Sequence, residues 1–155
     1  MRTLRRATNR REQGASAVEF ALILTPLLLI VFGLVQYGMY FWAKQGASAA
    51  ARDAAREAAV GKPADCATFR DNVRDSIGTF ATDEIANPPV ITRTYSKGTG
   101  NSLPEVEIGD EVTVQVQFKS FDLNLPFLPF IDGGLISEHA ESRVDYVPAQ
   151  PETCA

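Results

Sequence analysis

The chain has 155 residues and a formal net charge of −4, which leaves room for one modest core once any membrane segment is set apart. The charge is unevenly spread: residues 1–19 carry five arginines against two glutamates, net +3, and residues 20–155 carry ten basic and 17 acidic side chains, net −7. A C-terminal part this acidic lacks the basic face that draws a phosphate backbone, which sets nucleic acid aside as a partner.

Residues 20–42 read FALILTPLLLIVFGLVQYGMYFW, a run of 23 without a formal charge. As a helix it spans ~34 Å, enough to cross a hydrocarbon core with some tilt. Tyr37, Tyr40, Phe41 and Trp42 form an aromatic belt suited to a membrane interface, and arginines ahead of a span stay cytoplasmic. The expected topology is therefore a single-pass anchor with a cytoplasmic N-terminus and an extracytoplasmic C-terminal domain. Pro26 lies inside the run, where it removes a backbone hydrogen bond and predicts a kink or local melting. Glu19 stands at the lip. An ionised side chain costs on the order of 2.5–3.5 kcal/mol at the bilayer centre and less near the interface. Either Glu19 is the last solvated residue, comfortable near a helix N-terminus, or it has a partner. A cleaved signal peptide is the alternative, with Ala47-Ser48-Ala49 as its cleavage site, but its apolar region is usually only about 7–15 residues.

The helix is expected to continue. Residues 44–60, KQGASAAARDAAREAAV, are dominated by alanine and stop at Gly61-Lys62-Pro63. Alanines 47, 50, 51, 54, 55, 58 and 59 make a small-residue face open to close approach by a helix or a sheet, or one side of a rigid stalk. Arg52, Asp53, Arg56 and Glu57 mark a solvated side. A second helix or a pair of turns is predicted over residues 65–85, with Asp65 as a cap and Phe69, Val73, Ile77 and Phe80 at helical spacing. Asn87-Pro88-Pro89 ends it. Strands follow: residues 90–95, β-branched and aromatic; residues 111–119, EVTVQVQFK, in strict alternation; and residues 137–147, with Ala140, Val144 and Tyr146 on a shared face. Residues 97–101 read as a turn. Residues 121–136, FDLNLPFLPFIDGGLI, form an apolar loop that either folds onto the sheet or faces a partner or lipid.

Cys66 and Cys154 suggest an intramolecular disulfide if the domain is exported, with free thiols or an intermolecular bridge as alternatives. No catalytic constellation emerges. His139 is the chain's one histidine and reads as a surface residue. Gly98-Thr99-Gly100 lacks the strand and helix context of a nucleotide site. Glu105, Glu107, Asp110 and Glu111 read as solvated loop carboxylates, with a weak cation site as the lesser alternative. Neither an enzyme nor a cofactor is expected.

Gly14-Ala15-Ser16-Ala17-Val18-Glu19-Phe20, followed by Ala21-Leu22-Ile23-Leu24-Thr25-Pro26, resembles the N-terminus of TadE-like proteins. These are pseudopilins or minor pilins of the tight-adherence (Tad/Flp) branch of type IV pilus systems. The resemblance extends through Gly33, Gly38 and residues 54–59, and weakens beyond. It implies a prepilin peptidase that cuts between Gly14 and Ala15, making Glu19 the fifth residue of the mature chain. It also implies an assembly role for Glu19 and Phe20, and as partners other pilin or pseudopilin subunits, a Tad membrane platform and membrane lipid. The fold class expected is α+β and pilin-like: a basic leader (1–14), a transmembrane helix (15–43), an Ala-rich helical stalk (44–61) and an exported domain (62–155) with a short helix and about three antiparallel strands. An uncleaved envelope protein whose domain binds a ligand through residues 121–131 is the rival reading, and a secreted domain freed after Ala49 the third.

Overall fold

A computed structural model of the protein describes residues 6–78, 88–102, 105–125, 130–147 and 153–154, without the side chains of residues 6–13 and Asp132. One helix, α1 (Arg6–Ala59), runs through the apolar segment, Pro26 and the alanine-rich segment without a break. At 1.5 Å per residue its length is ~80 Å. It stops where the sequence supplies a left-handed residue. Gly61 has φ 72°, and the Gly61 and Lys62 amides donate back to the Ala58 and Glu57 carbonyls at 3.0 Å each. That pairing satisfies two of the carbonyls a helix end leaves open.

The second helix, α2 (Cys66–Ile77), opens as predicted: the Asp65 carboxylate accepts the Thr68 amide at 2.8 Å. Phe69, Val73 and Ile77 form its buried face. It ends at Ile77, and the remainder of the expected stretch, residues 79–85 with Phe80, lies outside the described residues.

Three strands, β1 (Val90–Ser96), β2 (Glu111–Lys119) and β3 (Leu135–Arg143), form an antiparallel sheet in chain order with β2 central. Arg93 sits opposite Val114, and Val114 opposite Ala140. The alternation in β2 is realised without exception, with Val112, Val114, Val116 and Phe118 all buried. β3 is displaced from its expected bounds of 137–147. Gly133 and Gly134, at φ 61° and 80°, turn the chain so that pairing begins at Leu135. At the other end the Val144 amide goes to the Asp110 carbonyl at 2.8 Å, and the Asp145 and Tyr146 amides go to the Ala59 carbonyl at 2.9 and 3.1 Å. Val144 is buried, but Tyr146 has left the ladder and is 59% exposed, so it does not share a face with Ala140 and Val144.

The alanine face of α1 explains how these parts meet. Ala43, Ala47, Ala50, Ala51, Ala54, Ala55, Ala58 and Ala59 are all buried, in one cluster with the inner faces of the sheet and of α2. Short side chains let the sheet approach the helix closely, and the larger Val, Ile and Phe residues opposite supply the apolar volume. Residues 44–61, read from sequence as either a small-residue packing face or a rigid stalk, contribute the alanines of one wall of the core. The sheet runs along α1, so the turn before β2 lies near Ala59 and the segment after β2 lies near Gln36.

Candidate functional site

Among the described residues, nothing is folded against the first half of α1. From Ala15 to Phe32 no side chain is buried, although Val18, Phe20, Leu22, Ile23, Leu27, Leu28, Ile30, Val31 and Phe32 lie among them. Leaving so many large apolar side chains in water would cost on the order of 10 kcal/mol or more. This surface therefore needs lipid or other subunits around it. Among the described residues, α1 is the one helix long and apolar enough to cross a membrane.

Gly14, Ala15, Glu19, Phe20 and Pro26 all sit on this uncovered half. Among the described residues, no part of the domain is brought near them. Gly14 is helical, and a Cβ placed there would meet no atom within 4 Å. Neither packing nor backbone geometry asks for glycine at this point, and a mid-helix glycine is destabilising by about 0.5–1 kcal/mol relative to alanine. Glu19 is exposed and, among the described residues, has no hydrogen-bond or ion-pair partner. It lies one turn from Ala15, the i,i+4 spacing that puts two groups on the same helix face. Pro26 withholds the amide that would reach the Leu22 carbonyl. At the preceding residue the Thr25 hydroxyl returns to the Ala21 carbonyl at 3.0 Å, so this polar side chain is satisfied within the helix.

The domain meets α1 from Gly33 onward, and the contact is led by a residue that sequence reasoning passed over. Gln36, the one side-chain amide in the uncharged run, is only 4% exposed. Its Nε2 donates to the Phe121 carbonyl at 3.1 Å, and its Oε1 accepts the Leu123 amide at 2.9 Å. Phe130 adds an edge-on ring contact to Tyr40 at 5.6 Å between centroids. The apolar loop is therefore tied to the helix; Phe121 and Ile131 remain 40% and 45% exposed. Residues 126–129 of that loop lie outside the described residues.

Cys66 and Cys154, 88 residues apart in sequence, are disulfide-bonded with Cα atoms 5.6 Å apart. Residue 154 also pairs with the outer edge of β1: Arg93 and Cys154 exchange two backbone hydrogen bonds of 2.8 Å. The Arg93 side chain, 1% exposed, points inward. It donates to the Pro63 and Ala64 carbonyls at 2.7 and 2.9 Å, with its guanidinium carbon 4.5 Å from the Phe69 ring centre. Arg93 shares the strand parity of Ile91, and both side chains are buried. Burial raises the Tyr95 hydroxyl above its ordinary pKa, with the nearby Arg93 charge opposing the rise.

Asp110 corrects the reading of it as a solvated carboxylate. It is buried, and its oxygens accept the Gly98 amide at 2.8 Å, the Glu107 amide at 2.9 Å and the Asn101 side chain at 2.7 Å. The Glu107 and Gly98 amides are the main causes holding its pKa below the ordinary 3.8. A Cβ at Gly98 would collide with the Gly109 carbonyl, so the turn depends on glycine there. With its oxygens committed to these donors, Asp110 organises a turn, and no metal-ligating cluster occurs among the described residues.

No curated protein and no solved structure matches the chain. The family model described as TadE-like protein matches residues 14–56, beginning at the glycine that the fold does not explain and ending within the alanine face. Over that N-terminal segment the chain is similar to the TadE-like family, in agreement with the resemblance carried by residues 14–26.

Proposed function

We propose that the protein is a minor pilin or pseudopilin of a Tad/Flp-type pilus, a structural subunit with no chemistry of its own, acting in pilus assembly and through it in adhesion. The observation that carries this reading is the coincidence of the TadE-like segment with a helix half whose apolar side chains have no cover. A prepilin peptidase removes residues 1–14 by cutting after Gly14 on the cytoplasmic side. The domain lies on the other side of the membrane, in keeping with the arginines at 2, 5, 6, 10 and 11. Cleavage leaves a new α-amino group on Ala15, one turn from Glu19. That cation, from the same chain or a neighbouring subunit, offsets the desolvation of the carboxylate and sets the register of subunits. Partners are the peptidase, other pilin or pseudopilin subunits, the Tad platform and lipid.

The test is the N-terminal residue of the protein recovered from native membranes. Ala15 supports the proposal, Met1 or Arg2 supports an uncleaved envelope anchor, and Ala50 a released domain. Because a Cβ at position 14 meets nothing, Gly14→Ala leaves the helix intact, and any loss of processing reports recognition. Processing that persists in Gly14→Ala and in bulkier variants would overturn the proposal.

A further inference from the structure

Resting on the reading of α1 as a membrane span, we propose that the proximal tip of the domain, around Phe121, Leu123, Ile131 and Leu135, is seated in the lipid interface of the leaflet on the domain's side. The depth of the tip is fixed by Gln36, whose two hydrogen bonds hold the backbone of residues 121–123 against α1. Gln36 lies 16 residues past Phe20 and 21 past Ala15, or ~24 and ~32 Å along a helix axis. A hydrocarbon core is about 30 Å thick. Wherever between Ala15 and Phe20 the span begins, the tip falls from roughly 6 Å inside the far hydrocarbon boundary to about 2 Å beyond it. Interfacial segments bury their apolar side at such depths.

The chemistry of the tip agrees with its position. Phe121, Ile131 and Leu135 are 40%, 45% and 46% exposed, while Phe41 and Trp42 on α1 are 54% and 55% exposed. The Tyr40–Phe130 ring contact joins the two sets. An apolar band thus continues from the helix onto the domain. On the helix side, the ion pair of Lys44 with Glu138 at 3.4 Å marks the end of the uncharged run of α1. It stands ~12 Å above Gln36 by helix rise. Asp122, whose carboxylate accepts the Asn124 amide at 2.8 Å, stays at headgroup level. Exposed Lys119, opposite Leu135 in the sheet, is a cation at the edge of the tip, so the attachment is chiefly apolar and anionic lipid would add to it. Among the described residues, the opposite end of the sheet, around Thr99 and Glu107, carries charged and polar side chains about a single exposed apolar residue, Ile108, with no continuity to the apolar half of α1.

The experiment uses the full-length protein with Trp42→Phe, reconstituted in phosphatidylcholine vesicles brominated either near the carbonyl end or near the tail of the acyl chains. Four single-tryptophan variants are compared: Phe121→Trp, Ile131→Trp, Leu28→Trp and Thr99→Trp, each checked for an intact Cys66–Cys154 bond. The expected result is loss of Phe121→Trp and Ile131→Trp fluorescence with bromine near the carbonyl end, deeper quenching of Leu28→Trp, and none of Thr99→Trp. If Leu28→Trp is quenched while both tip variants are not, the tip is outside the lipid and the proposal fails alone. Unquenched, blue-shifted tip emission that depends on the protein-to-lipid ratio assigns the surface to a second copy and also overturns it. If Leu28→Trp is unquenched, the span itself is refuted, and the proposal with it.

Discussion

Gln36 is the residue whose replacement most directly tests how the domain is held on its helix. Gln36→Met keeps the length and flexibility of the side chain but removes both the donor to the Phe121 carbonyl and the acceptor of the Leu123 amide. Each hydrogen bond contributes about 0.5–1.5 kcal/mol net, and a desolvated backbone group left without a partner costs about 1–3 kcal/mol. The site is part-buried, so the lower half of these ranges applies, and local docking should weaken by roughly 2–4 kcal/mol. At about 1.4 kcal/mol per tenfold, protection of the Leu123 amide against hydrogen exchange should fall roughly 30- to 700-fold. Amides of β2 should keep theirs, because the sheet and the alanine face are untouched. Gln36→Glu should be at least as damaging while ionised, because it buries a charge and sets a carboxylate oxygen against the Phe121 carbonyl. Unchanged Leu123 exchange in Gln36→Met would show that ring packing at Tyr40 and Phe130 holds the segment without Gln36.

Glu19→Gln should leave removal of residues 1–14 largely intact while reducing incorporation into pili, read by comparing mature protein in membranes with protein in sheared fibres; equal incorporation would remove the carboxylate from the assembly mechanism. Reducing the Cys66–Cys154 bond, or replacing both cysteines with serine, should lower stability by about 4–5 kcal/mol on loop-closure entropy for a separation of 88 residues. Denaturant midpoints with and without reductant measure this, and a negligible shift would mean that the Arg93–Cys154 backbone pairing alone secures the C-terminal segment. Asp110→Asn should destabilise the turn, since an amide offers one acceptor oxygen to three donors. The wild-type advantage has a defined pH window. Because the folded pKa of Asp110 is below its ordinary 3.8, the stabilisation is present above that value and is lost as pH falls through the folded pKa. Acid unfolding curves of the two proteins should therefore converge at low pH; a gap that persists there would point to packing.

Elements with an unambiguous period were readable from the sequence. β2 alternates with no interruption, α2 has its apolar residues four apart behind Asp65, and the end of α1 is marked by Gly61. What escaped depended on interactions between distant segments. Tyr146 continued the alternation of β3 on paper, but the Ala59 carbonyl at the end of α1 draws its amide out of the ladder. Asp110 looked like one of several loop acids because its donors come from Gly98, Asn101 and Glu107. Gln36 looked like a tolerated polar residue in a span because its partners are 85 and 87 residues away. Arg93 is the instructive case. It shares the strand parity of buried Ile91, and the carbonyls that accept its hydrogen bonds, Pro63 and Ala64, lie in the link between the two helices, where no side-chain motif announces them.

One helix thus serves two environments, and its side chains change where the environment does. Up to Phe32 they are large and uncovered; from Gly33 to Ala59 the buried ones are mostly alanines, sized to a sheet lying directly against the backbone. Replacing Ala47 or Ala51, both fully buried, with leucine would overpack that contact at a cost of about 1–3 kcal/mol. An alanine at position 14 should do the reverse. It meets no neighbour and gains about 0.5–1 kcal/mol of helix stability over glycine. A glycine where folding favours alanine, at the first residue of the TadE-like match, is accounted for if another protein must approach the backbone there. The fold explains the second half of α1, and Gly14 together with Glu19 is what it leaves for a partner to explain.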